Sequence, residues 1–210
     1  MKKLIALLIA LVLICSLAAC GGSKTPTETL IPTQTSTPTE SATPTPIETT
    51  TPVPDVWKLD YYVDDFKQPT KFAYVMNTVP FIGTFSNSAT TDSPLLVDIL
   101  IDHGFEDRTG VATIFLYEYA SNLVKNSGSY DEEYDISIKT DDGTVSELHG
   151  AIYPGADRIV LEGADMDTFI AALSGEGNVS VYIVQSDRTT TTYLFTAITA
   201  EFLTELEQLN

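Results

Sequence analysis

Apolar and polar residues alternate along much of the chain, and the alternation divides it into short strands. Tyr134-Asp135-Ile136-Ser137-Ile138-Lys139 puts every second side chain on one face, the pattern of a half-buried strand. Val179-Ser180-Val181-Tyr182-Ile183 repeats it. Leu95 to Ile101 and Val111 to Tyr119 are more continuously apolar and read as central strands. Further strands are expected over Phe72 to Met76, Pro80 to Phe85, Val145 to Tyr153, Arg158 to Leu161 and Thr190 to Ile198. Asp141-Asp142-Gly143 falls between two such runs and reads as a hairpin turn, with glycine supplying a positive φ.

Two segments follow a helical period instead. Asp165-Met166-Asp167-Thr168 can cap a short helix with Met166, Phe169, Ile170 and Leu173 on its apolar side, ending at Ser174-Gly175. A second helix is expected from about Thr199 onward, with Phe202, Leu203, Leu206 and Leu209 on one face and Glu201, Glu205 and Glu207 on the polar side. The fold class is therefore mainly β, with α+β at the margin. We expect a single antiparallel β-sandwich or partly closed barrel with two short peripheral helices.

The N-terminal pattern is different in kind. Lys2 and Lys3 lead into an unbroken apolar run from Leu4 to Leu13, extended by Ile14 and Cys15 and followed by Leu17-Ala18-Ala19-Cys20. A basic start, an apolar centre and small residues before a break are the layout of a secretory signal. The apolar stretch is shorter than the about 20 residues a spanning helix needs. Leu17-Ala18-Ala19-Cys20 resembles the lipobox of bacterial lipoproteins. That resemblance implies cleavage between Ala19 and Cys20, a diacylglycerol on the Cys20 sulfur, and a membrane attachment through lipid on the extracytoplasmic face. Two acyl chains meet the two-signal requirement for stable anchoring, at about 0.8 kcal/mol per buried methylene.

Cysteine usage fits this expectation, since Cys15 and Cys20 are the only two. Residues beyond 20 hold no thiol, so a folded part there relies on its own core without a disulfide or a cysteine-bound metal. From Ser23 to Pro54 the chain is nearly all Thr, Pro, Ser and Glu, as in Thr43-Pro44-Thr45-Pro46. Such a segment cannot offset the entropy of ordering and is expected to be a disordered linker. In polyproline II conformation, at about 3.1 Å per residue, it would reach on the order of 100 Å. The expected organisation is a signal peptide over 1–19, a lipidated cysteine and linker over 20–54, and a β-rich domain over 55–210.

Charge narrows the choice of partner. Residues 55–210 hold 26 Asp and Glu against 8 Lys and Arg, a balance of −18. That surface repels phosphate backbones and anionic headgroups, which excludes nucleic acid as a partner class. Basic proteins, neutral glycans or divalent cations remain as attractions, with an envelope protein or neutral glycan as the expected partner, beside the bland reading that acidity serves solubility.

Catalytic patterns are sparse. The two histidines, His103 and His149, belong to no metalloprotease-type pair, and neither a Gly-x-Ser-x-Gly elbow nor a Gly-rich phosphate loop with lysine occurs. Acidic pairs and runs at Asp64-Asp65, Glu106-Asp107, Asp131-Glu132-Glu133-Asp135 and Asp141-Asp142 do not match EF-hand spacing. Asp131, Glu133 and Asp135 would nevertheless share a face if a strand began early, so they are candidate contacts for a ligand or for Ca2+, and no other cofactor is implied. Asn87, in the polar insert Ser86-Asn87-Ser88, is a further candidate contact or a residue bonding its own backbone. Trp57, Tyr61, Tyr62, Phe66, Phe72 and Tyr74 crowd the start of the domain, where the expectation is core rather than a sugar-stacking row.

Tyr62 to Thr70, Gly83 to Thr90 and Leu116-Tyr117-Glu118-Tyr119 together resemble a C-terminal β-domain of uncharacterised lipoproteins from Gram-positive bacteria, over roughly residues 57–205. The resemblance implies a surface location and assigns no activity or site. The functional expectation is an anchored extracytoplasmic lipoprotein acting as a binding or envelope structural module, not an enzyme. The alternative is a cell-surface hydrolase acting on wall glycan or peptide.

Overall fold

Short alternating runs can bury one face each only by pairing, and here they pair all the way round. The computed structural model describes residues 55–104, 109–186 and 191–209. Six strands come first: β1 (Trp57–Val63), β2 (Pro69–Asn77), β3 (Phe81–Ser86), β4 (Ser93–Asp102), β5 (Val111–Glu118) and β6 (Asn122–Leu123). Then follow β7 (Glu132–Thr140), β8 (Val145–Ile152), β9 (Ile159–Leu161), helix α1 (Gly163–Leu173), β10 (Asn178–Gln185), β11 (Thr192–Ile198) and helix α2 (Phe202–Glu207).

Eight of these strands form an antiparallel barrel in the order β3, β4, β5, β9, β8, β7, β10, β11 and back to β3. The expected mainly-β antiparallel fold is present, and of its two forms the chain takes the barrel, with the ring complete. Closure pairs every ring strand on both sides, fully everywhere except at the short β9. The inward positions follow the alternation. Leu95, Val97, Ile99 and Ile101 of β4 are fully buried, as are Ile114 of β5, Ile136 of β7, and Val181 and Ile183 of β10. Gly83 lets β3 approach β11, because a Cβ there would lie 2.7 Å from the Cβ of Phe195. The Asp141-Asp142-Gly143 turn joins β7 to β8 with Gly143 at φ 90°.

Strand β9 is too short to seal its part of the wall. It pairs with β5 over Ala112 to Ile114 and with β8 only at Ala151. Helix α1 continues from it, packs against both β5 and β8, and buries Phe169 and Leu173 completely. The expected cap at the Asp165 turn does not form: α1 starts at Gly163, and Glu162 at its N-cap makes no side-chain cap. Asp165 instead accepts the backbone N–H of His149 at 3.2 Å, on the β8 edge that β9 leaves uncovered.

Strand β4 forks the sheet. One of its edges is shared, with β3 paired from Ser93 to Val97 and β2 paired at Leu100 and Ile101. Ile99 N–H lies between them, and the buried side chain of Asn77 accepts it at 2.6 Å. The Asn77 amide nitrogen donates to Val79 O at 2.9 Å and to Asp98 Oδ1 at 3.0 Å.

The β1–β2 hairpin leaves the ring at this fork. The aromatic cluster conceals β1 in the sequence, because crowded rings suggest core and mask the strand alternation. Trp57 is core: its Nε1–H donates to Ile198 O at 2.7 Å, and its ring packs 4.8 Å from Phe202. Tyr61 and Phe66 are not, at 44% and 84% exposed. Glu201 and Glu205, at the head of α2, accept the Val56 and Leu59 N–H groups at 3.1 and 2.9 Å and so cover the free edge of β1. Helix α2 is shorter than expected, and Phe202 and Leu206 carry its burial while Leu203 is exposed.

Candidate binding site

At one end of the barrel the inward rows change from apolar to polar. Along β10 the inward sequence is Val179, Val181, Ile183 and then Gln185. On β5, Leu116 is followed inward by Glu118, and on β7, Glu132 and Tyr134 precede Ile136 and Ile138. Register brings these together, since Gln185 pairs with Tyr134, and Tyr193 of β11 pairs with Ile183. The result is a polar cavity of about 370 Å³ at the barrel mouth, with Glu118, Lys125, Glu132, Tyr134, Gln185 and Tyr193 in its wall.

Each glutamate of the mouth is held by a tyrosine. Tyr193 donates its hydroxyl to Glu118 Oε1 at 3.1 Å, and Tyr134 to Glu132 Oε2 at 3.4 Å. Burial, and then the charge of Glu118, push the Tyr193 hydroxyl far above its ordinary range, so it stays a protonated donor. Gln185 is only 6% exposed and lines the same cavity.

The rim is equally specific. Asn126, 1% exposed, donates to Tyr130 O and Ile152 O, both at 2.7 Å, and accepts Gly128 N–H at 2.8 Å. These bonds fix the loop that carries Lys125 and Gly128 against the mouth. Two other concavities have different character. An apolar groove of about 510 Å³ runs outside the wall past Val79, Pro80, Ile82 and Ile198, with almost nothing polar to orient a ligand.

The second lies over β7 and β8 and gathers residues the sequence had marked. Asp131 and Glu133 line it with His149, Tyr153, Glu162 and Asp165, in a volume of about 230 Å³. Asp135 stays outside it and pairs with His149 Nδ1 at 3.0 Å, both side chains being well exposed. Among the described residues no three carboxylate or imidazole groups converge closely enough to hold a metal ion, so the calcium expectation finds no ligand set there. Asn87 bonds its own loop: Oδ1 accepts the N–H groups of Ala89 and Thr90 at 2.9 and 3.1 Å. His103 is exposed beside buried Asp102, which accepts the Tyr62 hydroxyl at 2.9 Å and Gly104 N–H at 2.7 Å. Ala19, Cys20, the linker and the Glu106-Asp107 pair lie outside the described residues.

Compared with protein families, curated proteins and solved structures, the chain matches none. The site therefore stands on its own chemistry. Sequence reasoning missed Glu118, Lys125, Gln185 and Tyr193. A signal existed in the strand period, where Gln185 continues the inward parity of Val181 and Ile183 but is polar. Its meaning depends on other strands ending in polar residues at the same end of a ring, which no single run displays.

Proposed function

We propose that this chain is a lipid-anchored extracytoplasmic lipoprotein whose barrel is a binding module, with the polar barrel mouth as its binding site. The observation that carries binding is the polar cavity itself, in whose wall the nine-tenths-buried Gln185 joins two glutamates and two tyrosines. Anchoring is supported by the Leu17-Ala18-Ala19-Cys20 pattern and by the Thr/Pro-rich stretch behind it, with length enough to hold the domain away from the membrane. The likeness to the β-domain of Gram-positive lipoproteins points to the same address. Binding is favoured over hydrolysis because neither histidine lines the mouth, and His149 is engaged with Asp135 on the outer wall. The partner is an envelope component, protein or glycan, presenting a small polar group.

The test uses the full chain, immobilised and exposed to solubilised envelope material from the producing cells. Wild type retains a component that a Gln185→Leu variant of unchanged melting temperature does not. Equal retention by the two proteins would sink the assignment of the mouth.

A further inference from the structure

We propose that the apolar groove outside the β3–β11 wall docks an amphipathic helix of a protein partner, one whose apolar stripe is flanked by lysine or arginine. The groove reaches Thr196 and Ile198 toward the far end of β11 from Tyr193, and it shares no wall residue with the barrel mouth. Its occupant is therefore independent of what the mouth holds. Val79 and Ile82 stand 62% and 81% exposed in its wall, and Leu194 and Ile198 lie exposed on the outward row of β11. Large aliphatic side chains gathered so openly mark a docking face. The rim is fixed in place. Thr78 donates its N–H to Val56 O at 2.9 Å and its hydroxyl to Asp55 O, while Glu201 accepts the Val56 N–H at 3.1 Å.

The form of the occupant follows from what this wall lacks. An extended peptide needs a strand edge to satisfy its backbone, but β3 is paired with β4 and β11, and β11 with β3 and β10. An acyl chain gains most from enclosure, whereas Val79 and Ile82 project outward. A helix bonds its own backbone and offers rows of side chains between which such knobs fit. Charge selects the flanks of that helix. Asp55 lies in the groove wall, and at Ile198 the groove adjoins a second concavity walled by Glu176 and Glu201. Neither wall holds a lysine or arginine among the described residues. With a balance of −18 over residues 55–210, a second copy of the chain is repelled and a basic flank is attracted.

Fluorescence anisotropy on the full chain tests this with labelled synthetic peptides of about 18 residues, roughly five helical turns. Each carries a leucine stripe at helical spacing. One is flanked by lysines, one by glutamates, and a third keeps the lysines but has a central proline that breaks the helix. The lysine-flanked helix binds at least about tenfold more tightly than either of the others. Ile82→Ser lowers that affinity about tenfold, as expected for loss of an apolar anchor, and Val79→Ser is the second variant should the first fold poorly. Phe66→Ser, at an 84% exposed residue outside the groove, leaves it unchanged. Equal binding of the three peptides, or binding indifferent to Ile82→Ser and Val79→Ser, overturns the proposal. So does failure of the lysine-flanked helix to bind, the result expected where the residues before Asp55 cover the groove. Self-association of the full chain that Ile82→Ser abolishes assigns the groove to a second copy instead.

Discussion

Asn77→Ala tests whether the fork in the barrel wall is held by a side chain rather than by strand pairing. Ile99 N–H faces the point where β3 has stopped and β2 has yet to begin, and Asn77 Oδ1 accepts it at 2.6 Å in a site 3% exposed. Alanine leaves that N–H buried and unanswered, which costs about 1–3 kcal/mol. The bonds from Asn77 to Val79 O and Asp98 Oδ1 are lost as well, adding about 1 kcal/mol once water or relaxation has compensated in part. A total near 3 kcal/mol is a large fraction of the about 5–15 kcal/mol typical of a domain. Urea unfolding followed by Trp57 is a suitable assay, because it is the only tryptophan and its ring packs on Phe202 and Phe81. With a slope of about 2 kcal/mol/M, the midpoint falls by roughly 1.5 M at unchanged slope. A loss below about 0.5 kcal/mol, the range of ordinary surface substitutions, would refute the claim that Asn77 serves the orphan N–H.

Three further outcomes follow, two from the structure and one from the proposed anchor. Burial raises the Asp98 carboxyl above its ordinary 3.8, against the pull of hydrogen bonds from Asn77 and Tyr117, so folding favours its protonated form. Stability from this group is present below the ordinary value and is lost as pH rises through the folded one; Asp98→Asn therefore unfolds at higher urea than wild type at pH 7, and the gain shrinks at pH 3.5. Gly83→Ala drives a Cβ into Phe195 and the Leu194 backbone at the β3–β11 seam, with an expected loss of at least about 2 kcal/mol or failure to accumulate as soluble barrel, measured by melting and size exclusion. Cys20→Ala releases the chain from the membrane fraction and ends incorporation of labelled palmitate, whereas Cys15→Ala leaves both unchanged; palmitate retained in the Cys20 variant would refute lipidation at that residue.

Legibility varied with the range of the contact concerned. Strands β7 and β10 were readable because one face is buried throughout, so apolar and polar residues alternate without interruption. Strand β1 was not, because Trp57, Tyr61 and Tyr62 obscure the alternation, and its outer edge is satisfied by Glu201 and Glu205 from the far end of the chain. The α1 start was misplaced for a related reason. Asp165 resembles a cap residue locally, yet its carboxylate answers His149 on a strand that β9 does not reach. Asp131 and Glu133 line one concavity, and Asp135, on the same outward face of β7 as Glu133, pairs there with His149.

By itself the sequence determined the class of the molecule: the strand runs, the Asp142-Gly143 turn, the acidic surface, the absence of thiols after Cys20, and the separation of a Thr/Pro-rich segment from a core-forming one. These are local or compositional properties, settled by period, turn chemistry and charge. Closure of the ring, the Asn77 fork and the polar mouth were decided only by tertiary structure. Glu118, Gln185 and Tyr193 lie on three different strands and become one site solely because register and closure bring the same ends of those strands together. An inward polar residue on one strand is an isolated exception, and only a closed barrel turns several of them into a cavity.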